Sequence, residues 1–283
     1  MASFTNFATL SYNGGTTNSN IVTGEILEAL TAVKTAVSAN YSAGDRITYA
    51  LSLVNTGTAA ITDYTVTDNL GGYTVGANTV YPLAYNAGTM RYYINGVLQA
   101  APTVTAGPPF TVTGLTVPAG GSAVLIYETT ATPVAPLATG SSITNTATIT
   151  GGGLTTPITA QATVETANSA ELSISKALSP TTVTENGQIT YTFVISNTGN
   201  TEATATGNVV VTDTFAPILR NIAVTYNGTA WTEGTNYTYN AATGVFTTLA
   251  GQITVPAASF TQNTDGTFTV TPGTAALVIT GTV

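Results

Sequence analysis

One feature constrains this chain more than any other: a repeat whose second copy lacks the closing part of the first. The chain contains two lysines, Lys34 and Lys176. Each stands 15 positions before a tyrosine, in Ile47-Thr48-Tyr49 and in Ile189-Thr190-Tyr191. Asn55-Thr56-Gly57 and Asn197-Thr198-Gly199 follow at one offset from the lysines, then Val66-Thr67-Asp68 and Val211-Thr212-Asp213. Scarce lysines at one register of a repeat read as pairing or reactive centres of two homologous domains, not as surface decoration.

Copy one continues through Ile143-Thr144-Asn145-Thr146-Ala147-Thr148-Ile149, a period-2 strand. A Gly151-Gly152-Gly153 turn leads to a further strand over Pro157–Glu165. Copy two starts at Glu171, keeps Ile189–Asn197 and Val209–Asp213, and carries Tyr226-Asn227-Gly228 where copy one has Ile94-Asn95-Gly96. Its last matched segment is Gly273–Ile279, the counterpart of Gly121–Tyr127, shortly before Val283. The counterpart of residues 143–165 stands instead at the N-terminus. Phe4-Thr5-Asn6-Phe7-Ala8-Thr9-Leu10, the turn Asn13-Gly14-Gly15 and a strand near Asn20–Leu27 reproduce the alternation, the asparagine and the glycine turn. Asn6 precedes Lys34 by 28 residues, and Asn145 precedes Lys176 by 31.

Short Val/Ile/Thr/Tyr runs broken by Asn-Gly, Gly-Gly and Pro predict an all-β protein. Its expected form is two immunoglobulin-like β-sandwiches. The predicted division is an N-terminal donor hairpin over 1–29, a complete domain over 30–167, and a domain over 168–283 that lacks its closing strands. Fourteen tyrosines, a mean hydropathy of +0.27 and 6% charged residues argue against disorder. A net charge of −8 with five cationic residues argues against nucleic acid as a partner. No apolar run is long enough for a membrane span. Cysteine and histidine are both absent, which removes disulfides, thiolate nucleophiles, most zinc sites and every histidine triad. No cofactor and no metal site is expected, and Asn263-Thr264-Asp265-Gly266 reads as a turn. The sequons at Asn227 and Asn236 read as turn and strand residues, and Trp231 as part of the core. The N-terminus lacks the pattern of a secretory signal, so either a signal has been removed or export takes another route.

A sandwich without its closing strands leaves an open edge. Strands supplied by a second copy would fill it by donor-strand complementation. Donor at one end and acceptor at the other give a head-to-tail contact that propagates into a filament. The alternative is a closed monomer whose hairpin folds back into its own second domain. Because residues 28–33 run directly into the first strand of domain one, the intermolecular arrangement is favoured.

The lysine–tyrosine spacing, Asn-Thr-Gly, Val-Thr-Asp and Ile-Thr-Asn-Thr-Ala resemble the conserved repeat domain of bacterial surface proteins (domain of unknown function eleven). That resemblance implies immunoglobulin-like modules strung along a cell surface. The trio Lys34, Asp68 and Asn145 also resembles the centre of isopeptide-forming domains in Gram-positive pilins and adhesins. There a buried lysine attacks an asparagine amide and an acid promotes the step. By that resemblance Lys34 and Asn145 form an intramolecular cross-link promoted by Asp68. Lys176 and Asn6 of another molecule form an intermolecular one promoted by Asp213. The bland alternative is a buried Lys34–Asp68 ion pair beside a hydrogen-bonded asparagine. Together these features predict a structural subunit of an extracellular filament on a cell or spore surface, a homopolymer and not an enzyme. The competing expectation is a monomeric adhesin that binds an unknown surface receptor.

Overall fold

The computed structural model describes residues 2–26 and 29–283, so Leu27, the predicted end of the second N-terminal strand, lies outside the described residues. The chain is almost entirely antiparallel β-structure, and among the described residues no helix is long and apolar enough to cross a membrane. Chain contacts divide it into two compact units. One runs to Pro136 and includes Ser142–Glu165; the other comprises Leu137–Ser141 and Thr166–Val283.

The N-terminal segment is one long hairpin of β1 (Ala2–Asn6), β2 (Thr9–Tyr12), β3 (Gly15–Asn18) and β4 (Val22–Ile26). It turns at Asn13 and Gly14, both at positive φ, as a two-residue Asn-Gly hairpin requires. The single predicted strand over Phe4–Leu10 is interrupted at Phe7 and Ala8. The ladder passes from Asn6 opposite Val22 to Thr9 opposite Asn18, so three residues of the return strand face two. That is the count of a β-bulge. Ser19 fills the gap, its Oγ accepting from Ala8 N at 2.9 Å while its own N–H donates to Ala8 O at 2.8 Å. Among the described residues, β1–β4 pair only with one another.

The first unit is a two-sheet sandwich. One sheet runs β8 (Arg91–Ile94), β10 (Ser122–Ala131), β6 (Arg46–Asn55), β5 (Leu30–Ala36), with Val97–Leu98 beyond β8. The other runs β9 (Phe110–Val117), β7 (Ile61–Asp68), β11 (Ser142–Gly151), β12 (Ile158–Thr166), flanked by Thr103–Thr105 and Asn40–Tyr41. Taken as A (β5), B (β6), C (β7), D (β8), E (β10), F (β11) and G (β12), the sheets are D-E-B-A and C-F-G, with β9 added beyond C. That is the strand order of an immunoglobulin-like sandwich. Strict alternation buries Ile47, Tyr49, Leu51 and Leu53 on β6 against Ile143, Ala147 and Ile149 on β11.

The second unit repeats the first of these sheets: β17 (Thr229–Trp231), β16 (Arg220–Tyr226), β22 (Gly273–Thr282), β14 (Gln188–Asn197), β13 (Leu172–Ser179). Facing it are three strands, β15 (Thr212–Thr214), β19 (Val245–Thr248) and β18 (Tyr237–Asn240). The predicted strand over Val209–Asp213 shrinks to β15, which pairs with β19 on one side and with no described strand on the other. A separate hairpin of β20 (Ser259–Gln262) and β21 (Phe268–Thr271) precedes β22 and turns at the predicted Asn263–Gly266. Trp231 stacks on Tyr226 at 4.9 Å between ring centroids, at the edge of the core.

The two Asn-Thr-Gly motifs are structural clamps. Asn55 Nδ2 donates to the carbonyls of Ala59 (2.8 Å) and Pro118 (3.0 Å) while its Oδ1 accepts from Gly57 N at 2.9 Å. Asn197 repeats the pattern with Thr201, Pro256 and Gly199. At Gly199 a side chain is sterically barred, because a Cβ would lie 2.2 Å from Ser169 O.

Candidate functional site

In the first unit Lys34 on β5 and Asp68 on β7 lie on opposite sheets, and both side chains are sealed from solvent. Their contact is a 2.6 Å ion pair from Nζ to Oδ2. Burial lowers the Lys34 pKa from 10.5 to about 8, with the charge of Asp68 and its hydrogen bond opposing the fall. The carboxylate is held from three sides. Oδ1 accepts from Leu70 N at 2.9 Å, and Oδ2 accepts from both Lys34 and the Tyr127 hydroxyl. Nζ lies 4.9 Å from the centroid of the Tyr49 ring and 5.8 Å from that of Tyr127.

Asn145 sits on β11, next to β7, where Ala147 stands directly opposite Asp68. Period-2 alternation puts Asn145 on the same inner face as Ala147. It is fully buried, and neither Oδ1 nor Nδ2 completes a hydrogen bond with any of the described residues. Leaving such an amide unpaired costs about 1–3 kcal/mol, and buried polar groups without partners are rare enough to need an explanation. The Tyr49 and Tyr127 hydroxyls share this environment. Burial first and Asp68 second push both phenols up, while the amide of Asn145 opposes the rise without reaching bonding geometry.

Lysine, aspartate and asparagine therefore occupy one dry cluster walled by Tyr49, Tyr127 and Phe110, whose ring meets Tyr127 edge-on at 5.0 Å. Such a cluster supports amide transfer. A lysine whose neutral form is reachable near pH 8 is a competent nucleophile. An adjacent acid can carry protons between attacking and leaving nitrogens. Tyr127 is the participant that sequence reasoning missed. Its signal was weak: a tyrosine at an inward position of β10, where the second copy has Ile279.

The second unit places Lys176 and Asp213 at the same register. Nζ and Oδ2 are 2.5 Å apart, but the side chains are 41% and 19% exposed. The aromatic floor is present, with Nζ 4.5 Å from the Tyr191 centroid and 5.5 Å from that of Phe215. Asp213 stands opposite Phe246 as Asp68 stands opposite Phe110. On β13 the residues equivalent to the inner set of β5 are Leu172, Ile174, Lys176 and Leu178. Every residue of β13 is exposed, Ile174 by 55%, whereas Leu30 and Lys34 on β5 are buried. Asn6 lies on β1 of the free hairpin, whose described residues are almost all exposed. Asn227 and Asn236 take turn and loop roles: Asn227 Oδ1 accepts from Ala276 N, and Asn236 Nδ2 donates to Gln252 at 2.7 Å.

No family model and no curated protein matches the chain. The resemblance to the conserved repeat domain therefore rests on its quoted motifs. Among solved structures, the chain is similar to RrgB, the pilus backbone of Streptococcus pneumoniae, at 13% identity and a TM-score of 0.36, over 86% of this chain and 55% of that one. It is similar to BcpA, the major pilin subunit of Bacillus cereus, at 15% identity and 0.35, over 96% and 73%. It is also similar to the N-terminal domain of the Streptococcus gordonii adhesin Sgo0707, at 15% and 0.36, over 48% and 32%. The chain thus spans about a third of the Sgo0707 fragment and about half of RrgB. At these scores the likeness assigns no residue a role.

Proposed function

We propose that the chain is a structural subunit of an extracellular bacterial filament, assembled head to tail as one subunit lends its β1–β4 hairpin to the second unit of the next. The observation that carries this reading is a pair of open surfaces in one molecule. Alternation puts Phe4, Asn6, Ala8, Leu10 and Tyr12 on one face of the hairpin, with Val22 opposite Asn6. Phe4, Leu10, Tyr12 and Val22 are all exposed. In the second unit the inner face of β13 and the free edge of β15 are uncovered. In the first unit β11 and β12 occupy those places, and Asn145 pairs with Ala162 as Asn6 pairs with Val22. Burying each large apolar side chain is worth about 1.5–3 kcal/mol, and a bare edge strand recruits a partner.

In the first unit, Lys34 and Asn145 join covalently. Asp68 accepts a proton from the Lys34 ammonium, and the neutral amine attacks Asn145 Cγ. The acid supports charge developing on the amide oxygen, passes its proton to the departing nitrogen, and takes up the second proton of the attacking nitrogen, which leaves Asp68 protonated. The Nζ–Cγ bond forms, the Cγ–Nδ2 bond breaks, and ammonia leaves. No oxidant or cofactor is consumed. The unpaired amide of Asn145 fits a group that is a reactant rather than a structural asparagine. In the filament Asn6 stands beside Lys176 and Asp213, and the same step links neighbouring subunits. Neither trio acts on an external substrate.

Electron microscopy of the purified chain tests the assembly. Filaments are expected from the whole protein, and none from a chain lacking residues 1–27. A protein that remains a discrete soluble monomer instead supports the adhesin reading.

A further inference from the structure

The hairpin and the second unit depart from their counterparts in the first unit in a matched way. There Ile143 of β11 stands opposite Val164 of β12, and both are buried. Ile143 packs against the loop after β7, where a Cβ on Gly71 would lie 2.5 Å from its Cγ2. At the same end of the sandwich Ala39 O accepts from Glu165 N, and the strand Asn40–Tyr41 runs beside β12. Tyr41 is fully buried, its hydroxyl donating to Pro136 O at 2.5 Å.

In the second unit the residue equivalent to Tyr41, six before the isoleucine of Ile-Thr-Tyr, is Val183. It packs against that unit's core. In the hairpin the residue equivalent to Ile143 is Phe4, and opposite it, in place of Val164, is Gly24. The Phe4 ring already lies across this glycine: a Cβ there would come within 2.4 Å of Cζ. The set Ile143, Val164, Tyr41 thus becomes Phe4, Gly24, Val183. One position gains a ring while the other two lose volume, which keeps a core filled without overpacking.

We infer that Phe4 is the anchor that gives the donor hairpin its specificity, filling the space beside Val183 of the receiving subunit, with Gly24 as its seat. This inference rests on the donor-strand reading above. A ring already resting on its seat loses less freedom on docking, and an aromatic side chain filling a pocket is a common form of binding hot spot. The match also discriminates. The first unit has Tyr41 where the pocket would be, so Phe4 has no room there and the hairpin does not displace β11 and β12.

The test compares the concentration at which full-length chains form filaments. Phe4→Ile is expected to raise it about tenfold or more, the size of a hot-spot loss. Phe4 is exposed on the free hairpin, so this variant leaves both units folded. Val183→Tyr is expected to block assembly, and adding Phe4→Ile with Gly24→Val to it to restore assembly. Wild-type filaments with Phe4→Ile assembling at the wild-type concentration would overturn the anchor while leaving strand donation intact. A wild-type chain that never assembles would instead remove the donor-strand reading itself.

Discussion

Lys34 and Asp68 meet at 2.6 Å across the interior of the first unit although they belong to opposite sheets, and water reaches neither side chain. The contact ties the two layers together. A buried pair of this kind is a weak stabiliser by itself, because desolvation offsets the attraction. Its chemical consequence is the larger one.

The denatured wild-type chain should weigh less than its sequence by one ammonia for each intramolecular bond formed. Lys34→Ala, Asp68→Ala and Asn145→Ala should each restore the full mass. Intact-mass spectrometry reads this directly, and a wild type of full mass would leave only the ion pair.

A variant that cannot close the bond exposes the cost of the buried lysine. In Asn145→Ala the folded-state pKa of Lys34, about 8, lies below its ordinary value of 10.5. Between those values the unfolded chain binds more protons, so stability rises with pH. Below about 8 both states are protonated and the penalty is fully present. Chemical denaturation should therefore show a gain of roughly 1–2 kcal/mol between pH 8 and 9.5. Above that range the buried tyrosines act in the opposite sense, because unfolded phenols ionise first. A flat or falling profile between pH 8 and 9.5 would contradict the burial argument.

Tyr127→Phe removes a donor from Asp68 and leaves the ring in place. In the Asn145→Ala background it should cost about 1–3 kcal/mol, the usual penalty for leaving a buried acceptor short of a partner. Denaturant midpoints measure it, and an unchanged midpoint would show the hydroxyl to be a bystander. Ile279 at the equivalent position gives Asp213 no such donor.

Much of this arrangement was legible in the chain. Period-2 alternation located β6, β7 and β11, and the Asn-Gly pairs marked turns in which Asn95, Gly96, Asn227 and Gly228 all take positive φ. Repeat register singled out Lys34, and the resemblance to isopeptide-forming domains joined it to Asp68 and Asn145. The Tyr127–Asp68 contact was not legible, because it joins two sheets and leaves no trace in local periodicity. Nor was the bulge opposite Phe7–Ala8, since the extra residue sits on the return strand between Asn18 and Val22. Val209–Val211 is β-branched throughout, as a strand would be, but lies outside one, because pairing to a neighbour, not composition, decides whether an edge segment is held extended.

Strand exchange and covalent closure separate in one pair of variants. Asn6→Ala and Lys176→Ala should still assemble, since backbone pairing and apolar burial are untouched, but their filaments should fall to monomers in boiling detergent. Lys34→Ala should weaken each subunit without cutting the links between them. Loss of assembly in Asn6→Ala would mean that this asparagine holds the strands rather than reacting.

The central claim is tested most directly by digesting wild-type filaments and searching the peptides by mass spectrometry. A peptide containing Asn6 joined to one containing Lys176, lighter than their sum by one ammonia, is the predicted result. Filaments in which both peptides appear only unlinked and at full mass would contradict covalent closure between subunits.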